Sequence, residues 1–466
     1  MMTIHEAAAL LGAHSATVIH SDGHFDSRFS SVSTDSRSLE AGALFVALQG
    51  ERFDGHQYLE TARARGAVAA LVARPVDCAL PQIIVDDPLF ALGTLAAAWR
   101  SRFTLPVVAL TGSNGKTTVK EMLRAILLAH CGSTLDDSPV LATQGNLNNH
   151  IGLPLMLLRL RESHRYAVFE MGMNHLGEID TLTHLARPDV ALITVAGTAH
   201  IGELGSRDAI AQAKGEIFAG LGDSGIAVLN QDDRYLAYWR DLVGNRRTIT
   251  FGHSADSDVQ GLPPTDEGAP FNIRYGDETI PVYLHVIGAH NRQNALAAGA
   301  AALALGIPLS SIQQGLEDFE GVPGRLRRLT GHKAATIIDD TYNANPDSVR
   351  AAIDVLAAFP GKRYLVLGDM GELGVDAPKL HADIGAYVRG ADLDGLYAIG
   401  KLTEETVLEL GRPGWHFDTI DELIEELNKV LGPNATLLVK GSRFMKMERV
   451  VEKLVPNYQG GHSHAA

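Results

Sequence analysis

Thr111-Gly112-Ser113-Asn114-Gly115-Lys116-Thr117-Thr118 follows the apolar run Val107-Val108-Ala109-Leu110 and opens a helical pattern from Lys116 to His130. A strand, a glycine-rich turn and a helix N-terminus in that order form a cradle for a nucleotide triphosphate. Glycines let backbone N–H groups close around phosphate oxygens, and the helix start adds partial positive charge. The lysine reaches the outer phosphates, and a threonine hydroxyl is placed for Mg²⁺. Gly112, Ser113, Asn114, Gly115, Lys116, Thr117 and Thr118 are therefore read as the phosphate-binding residues. The strict motif also wants glycine at position 110, where this chain has Leu110. The strand and helix context that the motif requires is nevertheless present.

Length and composition bound what surrounds this loop. The chain has 466 residues, too many for one core and enough for about three domains. With 45% hydrophobic and 20% charged residues it has an ordinary globular composition. Its longest near-apolar stretch outside the strands, Ala295 to Leu305, is too short to span a bilayer, so no membrane segment is expected. The start, Met1-Met2-Thr3-Ile4-His5-Glu6, lacks the basic and apolar regions of a secretory signal. Cys78 and Cys131 are too few for a disulfide framework, which makes a reducing cytoplasm the simplest home. The net charge of −15 argues against nucleic acid or an anionic membrane as partner. If the substrates are anions, local cations and metal must override that field.

The pattern divides into three α/β segments. Residues 1–86 carry short apolar runs at Ala43-Leu48, Val68-Val72 and Ile83-Val85 with a helical stretch near Gln57-Arg65, as in a small α/β domain. In residues 87–318, a connecting helix at Phe90-Arg102 leads into the phosphate-loop strand. Further buried-strand candidates follow at Tyr166-Met171, Asp189-Val195 and Ile226-Asn230, with an Ala-rich helix after His290. This predicts a mostly parallel sheet covered on both faces. Gly321-Val322-Pro323-Gly324 reads as a linker. In residues 319–466, strands at Ala335-Asp339, Arg363-Leu367, Gly395-Ile399 and Ala435-Lys440 alternate with helices at Ser348-Ala358, Leu380-Val388, Ile420-Val430 and Ser442-Leu454, the alternation of a Rossmann-like domain. The small, polar tail from Gly460 to Ala466 is expected to be disordered, its two histidines included.

Three polar residues strain a purely structural reading. Glu170 ends the run Tyr166-Ala167-Val168-Phe169. Ligands of an open α/β sheet gather at the carboxyl ends of strands, so Glu170 is placed either to hold Mg²⁺ beside Thr117 or to serve as a capping or paired glutamate. His200 also follows a strand's carboxyl end, but Mg²⁺ prefers oxygen, and chemistry alone favours a satisfied loop histidine. Lys214 has Ile210, Ile217 and Phe218 on its helix face. A lysine there snorkels to solvent, has a lowered pKa or carries a modification, and periodicity alone favours snorkelling.

Blocks spread along nearly the whole chain resemble the ATP-dependent Mur ligases of peptidoglycan assembly. They are Asp35-Ser36-Arg37 and Phe53-Asp54-Gly55-His56; the phosphate loop, whose missing first glycine is normal in that family; Gly145-Asn146-Leu147-Asn148-Asn149-His150; Glu170-Met171-Gly172-Met173-Asn174; Ala199-His200-Ile201-Gly202; and Ala213-Lys214-Gly215-Glu216. They continue with His290-Asn291, Asn294-Ala295-Leu296, Pro323-Gly324-Arg325, Asp340-Thr341-Tyr342-Asn343-Ala344-Asn345-Pro346 and Gly368-Asp369-Met370-Gly371-Glu372. The last two blocks favour the D-Ala-D-Ala-adding branch over folylpolyglutamate synthases and other Mur ligases. The Asp-Asn-Pro-Arg block of the branch that adds the third peptide residue is missing.

The resemblance implies an enzyme that joins D-Ala-D-Ala to the terminal carboxylate of UDP-N-acetylmuramoyl-tripeptide, with ATP and Mg²⁺ as cofactors. Lys116 and Thr117 would serve phosphate and metal, with Glu170 and His200 completing metal coordination. The lysine matching Lys214 can carry a carbamate. Asn291 and Asn294 match adenine-side positions, while Arg325 and Asp340 match residues that reach the nucleotide when the C-terminal domain closes. Asp35, Ser36 and Arg37 fall in the segment that holds the UDP part, and Asn148 and Asn149 are further substrate-side candidates. A cytoplasmic home and a monomer are the expectation, although sequence does not fix the oligomeric state. A phosphate-loop motor would instead hydrolyse ATP without carboxylate and amine, and a non-enzymatic scaffold would have no use for Lys116, Glu170 and His200 together.

Overall fold

The computed structural model describes residues 1–12, 17–19, 27–133, 138–264 and 269–458. The expected disorder of the 460–466 tail concerns residues outside that set. Three large sheets follow one another along the chain. The N-terminal sheet has the order Thr17–Ile19, Gln82–Ile84, Ala69–Val72, Ala43–Val46, Ser31–Ser33, and only its first strand runs antiparallel to its neighbour.

The central sheet is built around Val107–Thr111, whose five residues are all buried. Tyr166–Glu170 and Val190–Ile193 flank it in parallel, and Ile226–Asn230 and Arg247–Gly252 extend the sheet on one side. In this register Glu170 pairs with Leu110 and Ile193 with Thr111, so the carboxyl ends of three strands open at one level. The expected parallel sheet has an unforeseen addition: Phe271–Tyr275 and Glu278–Val282 complete an antiparallel edge beyond Val259–Leu262. Helix Lys116–Cys131 buries Val119, Met122, Leu123, Ile126 and Leu127 along one stripe, the spacing expected of a helix that covers a sheet. Gly132 ends it at φ 63, the left-handed cap that glycine supplies.

The C-terminal sheet places Thr336–Asp340, Ala435–Lys440, Lys362–Gly368, Gly395–Ile399 and Gly414–Phe417 in parallel, with Arg327–Thr330 antiparallel at the edge. One expected helix is broken. A short 3₁₀ turn at Arg443–Met445 and helix Glu448–Leu454 are separated by Lys446 in a left-handed conformation.

Helix Pro88–Arg100 is more than the connector the sequence suggests. Its Leu92 and Leu95 belong to one continuous core with Leu44, Leu71 and Ile83 of the N-terminal sheet and with Leu153, Ile179 and Leu182 of the central segment. Buried Arg100 ties it further, donating to the carbonyls of Ala186 and Phe103. Among the described residues no helix is long and apolar enough to cross a membrane.

Candidate active site

The phosphate loop leaves the carboxyl end of Val107–Thr111 and is held by the next strand's exit. Ser113 N donates to Val195 O at 2.8 Å, Thr194 Oγ1 to Asn114 O at 2.6 Å, and Gly197 N to Ser113 Oγ at 2.8 Å. Two glycines are sterically required. A Cβ at Gly112 would lie 1.8 Å from Thr194 Oγ1, and one at Gly115, which has φ +81, would lie 2.3 Å from Asn294 Oδ1. Lys116 Nζ donates to Gly112 O at 2.7 Å. Burial lowers its pKa, with Glu170 acting in the opposite direction.

Thr117 and Glu170 meet as the strand register demands. Thr117 Oγ1 donates to Glu170 Oε2 at 2.9 Å, and Asn148 Nδ2 donates to Oε1 at 2.9 Å. Glu170 is buried, and its N–H is held by Thr143 Oγ1 at 2.9 Å. A hydroxyl and a carboxylate are the hard oxygen donors that Mg²⁺ takes one or two of, leaving its other positions to water and phosphate. These residues fit such an ion, although among the described residues no group of three His, Cys, Asp or Glu side chains converges as a closed metal cluster. His200 shares the cavity wall with Glu170 and Lys116. It is not the satisfied loop histidine of an isolated domain: its Nδ1 lies 2.9 Å from Glu372 Oε2 of the C-terminal segment.

Lys214 corrects the snorkelling expectation. It sits in helix Arg207–Gly215 at 1% exposure, sealed with Ile210, Ile217 and Phe218. The apolar face is as read, but the depth is too great for the four-carbon stem to reach water. Burial drives its pKa well below the usual lysine value, and neighbouring Lys116 pushes the same way.

A cavity of about 670 Å³ joins the central and C-terminal segments, within the range of small-molecule sites. Asn291 and Asn294 enter it from helix Ala289–Ala304, linked by Asn294 Nδ2 to Asn291 Oδ1 at 3.1 Å. Arg325 and Asp340 face them. Arg325 Nη2 donates to Thr117 Oγ1 at 2.9 Å, and its guanidinium lies 4.1 Å from the Tyr342 ring centroid. Asp340 is engaged by Lys440 Nζ at 2.6 Å, yet burial still raises its pKa above the usual carboxylate range.

The remaining candidates are placed differently. Asn148 is committed to Glu170, and Asn149 Oδ1 accepts from Gly152 N at 2.9 Å to start helix Gly152–Leu157, though both line the cavity. Asp35, Ser36 and Arg37 lie outside it, in the N-terminal segment. Arg37 grips Asp35 at 2.9 Å and holds its carboxyl below the usual range, while Ser36 is buried between them. Sequence reading gave no role to Lys440, His290 and Asp347, which also line the cavity, nor to Glu372. Lys440 had a signal, since it ends an apolar strand as Glu170 does. Asp347 had none, because its partner lies in another domain, and Glu372 stood in a family block without a partner from which a role could be read.

Three family models match the chain in order: Mur ligase family, catalytic domain, over residues 28–100; Mur ligase middle domain over 110–302; and Mur ligase, glutamate ligase domain, over 324–443. The UDP-N-acetylmuramoyl-tripeptide–D-alanyl-D-alanine ligase of Escherichia coli (strain K12) is 43% identical over 437 residues, covering 93% of this chain and 95% of that protein. A crystal structure of MurF from Acinetobacter baumannii superposes with a TM-score of 0.87 at 38% identity, over 97% of this chain and 98% of that one. The MurF ligase from Thermotoga maritima in complex with ADP superposes with a TM-score of 0.79 at 30% identity, covering 91% and 96%. With its three segments matched in order and its length covered by such relatives, the chain belongs to the Mur ligase family.

Proposed function

We infer that this chain is an ATP-dependent ligase that joins D-Ala-D-Ala to the terminal carboxylate of UDP-N-acetylmuramoyl-tripeptide, forming ADP and phosphate in peptidoglycan precursor synthesis. The observation that carries the reading is the meeting of the phosphate loop with Arg325 across one cavity, in a chain collinear with D-Ala-D-Ala-adding enzymes.

An amide bond cannot form directly from a carboxylate, which is a poor electrophile. The substrate carboxylate first attacks the ATP γ-phosphate, giving an acyl phosphate and ADP. The amine of D-Ala-D-Ala then attacks the acyl carbon, loses a proton, and phosphate leaves. Two anions must meet in the first step, so catalysis is mainly charge neutralisation and alignment. Lys116 and the loop N–H groups from Gly112 to Thr118 supply fixed positive charge. Thr117 and Glu170, with His200 beside them, would hold Mg²⁺, which supplies further charge neutralisation at the phosphates. Arg325 adds a cation from the C-terminal side, and the cross-domain contacts exclude water that would waste the acyl phosphate. Asn291 and Asn294 are assigned to the adenine side and Asp340, through Lys440, to the nucleotide-facing wall.

The finer assignments extend this reading. Residues 1–86, with Asp35, Ser36 and Arg37, hold the UDP part; residues 87–318 bind ATP; residues 319–466 form the C-terminal ligase domain. Lys214 is a candidate for carbamylation, in which its neutral amine would add to CO₂ and release a proton; the lowered pKa favours that neutral form. A monomer is the proposed state, and two free cysteines suit the cytoplasm.

Phosphate release from ATP, measured with each UDP-muramoyl peptide with and without D-Ala-D-Ala, tests the function. Release should require the tripeptide and D-Ala-D-Ala together, with diaminopimelate- and lysine-containing tripeptides compared in parallel. Release independent of both would mean a phosphate-loop motor or switch, and dependence on a shorter peptide would mean another branch of the family.

A further inference from the structure

The segment from Gly197 to Gly202 is gripped by two carboxylate residues of the C-terminal domain. Asp347 Oδ2 accepts from Thr198 N and Thr198 Oγ1, both at 2.8 Å, and its Oδ1 lies 3.2 Å from Arg207 Nη2. The fit leaves no room for a side chain at position 197, where a Cβ would lie 2.8 Å from Asp347 Oδ2. Asn345, the N-cap of the same helix, donates to Asn114 Oδ1 of the phosphate loop at 2.9 Å.

On the other side, Glu372 O accepts from Gly202 N at 3.0 Å, and Glu372 Oε2 lies 2.9 Å from His200 Nδ1. A Cβ at Gly202 would lie 2.5 Å from Gly374 N. His200 and Glu372 both hold left-handed backbone, at φ 66 and φ 59. Non-glycine residues keep that conformation only where surrounding contacts over-determine it. His200 also caps helix Ile201–Leu204, its carbonyl accepting from Glu203 N and Leu204 N, and the Glu372 contacts add to that local support when the domains meet.

We propose that Asp347 and Glu372 dock the C-terminal domain onto the 197–202 segment and so make the placement of His200 depend on closure. Asp347 acts as a positioning residue for the metal site. From Asp347 the contacts pass through Thr198 and Gly197 to Ser113 of the phosphate loop, and separately from Glu372 to the imidazole. Glu372 Oε2 stands within ion-pair distance of Nδ1, on the side from which outer carboxylates orient metal-binding histidines. This inference rests on the assignment of His200 to the metal side.

The test uses the full-length protein with a non-hydrolysable ATP analogue and Mn²⁺ as paramagnetic probe. Asp347→Ala should weaken Mn²⁺ binding in the nucleotide complex by about tenfold or more. It should reduce the compaction seen by X-ray scattering when nucleotide binds, and lower kcat more than it raises KM for ATP. Asp347→Asn, which keeps the shape and one acceptor, should recover part of each loss and guards against a folding artefact. In the pair with Thr198→Val, the double variant should be little worse than Asp347→Ala alone. Normal compaction and Mn²⁺ affinity in Asp347→Ala, or losses that multiply in the double variant, would overturn the docking role. His200→Ala separates the two layers: unchanged Mn²⁺ affinity there removes His200 from the metal site and the coupling with it. Weakened binding in His200→Ala with none in Asp347→Ala overturns the docking alone.

Discussion

Arg325 Nη2 donates to Thr117 Oγ1 at 2.9 Å although 208 positions separate the two residues in sequence. The same hydroxyl donates to Glu170, so a C-terminal cation rests against the pair assigned to the metal. Stacking on Tyr342 holds the guanidinium there. When ATP and metal arrive, Arg325 has to exchange Thr117 for phosphate oxygens. Arg325→Ala should therefore slow acyl-phosphate formation by about 100-fold, roughly 3 kcal/mol, while changing ATP affinity only a few-fold. Equal losses in ATP affinity and single-turnover rate would mean that Arg325 binds nucleotide before the transition state, and the closure mechanism would have to be dropped.

Among the described residues, the Lys116 ammonium hydrogen-bonds only to Gly112 O within its own loop. Its removal should leave the fold intact and take away a cation aimed at the phosphates. Turnover of Lys116→Ala should fall by two to three orders of magnitude, about 3–4 kcal/mol, with an unchanged melting temperature. A folded variant with near-normal rate would end the ATP assignment.

The site's local half was legible in the sequence and its long-range half was not. Strand, turn and helix are all contained between Val107 and His130, so the phosphate loop could be read without tertiary knowledge. Glu170 followed from one further rule, that parallel strands end together, and its register against Leu110 is that rule in operation. Lys214 shows where periodicity stops: it gives the face of a helix but not how much protein lies over that face. The roles of Glu372 and Asp347 were opaque, although Glu372 stood in a family block, because their partners, His200 and Thr198, belong to a domain whose docking no local pattern encodes. The antiparallel edge from Phe271 to Val282 was missed because its two short strands carry no long apolar run, burying only Phe271 and Ile273 in one and Val282 in the other.

Gly115 is expected to be irreplaceable. An alanine there would bring Cβ to 2.3 Å from Asn294 Oδ1 and would have to hold φ +81. The side chain of Asn294 is itself buried and tied to Asn291, so it has little freedom to yield. Gly115→Ala should cost about 1–3 kcal/mol, read as a lower melting temperature and weaker ADP binding. Adding Asn294→Ala should recover part of the stability by removing the clash, and no recovery would place the strain in the backbone alone.

His290 gives a pH signature. Burial, with Lys440 and Arg292 nearby, lowers its pKa from 6.5 to about 4. Between those values the unfolded chain holds a proton that the folded chain does not. Stability is therefore full above the unfolded pKa and falls as pH drops toward the folded one, by up to about 3 kcal/mol. His290→Gln should flatten that slope relative to the parent in urea unfolding at about pH 7 and about pH 5. Parallel curves for the two proteins would show that His290 is protonated in the folded state.

Lys214 allows the most searching test of the site. An ammonium sealed at 1% exposure would need an anion to offset its desolvation. Among the described residues the only charged group acting on it is another cation, Lys116. The side chain is then either a neutral amine or a carbamate, and the two differ in charge. A carbamate places a carboxylate-like anion near Lys116; an amine places none. Lys214→Ala should lose activity by about 100-fold or more. If the lost group is a carbamate, formate or acetate should enter the vacated volume and restore part of the rate, with little effect on the parent enzyme. A carbonyl resonance appearing in the parent, and absent from Lys214→Ala, after exchange with ¹³C-bicarbonate would identify the same group directly. Full activity in the alanine variant would reduce Lys214 to a packing residue. Loss that no small acid repairs, with no carbonyl resonance, would assign the role to the neutral amine.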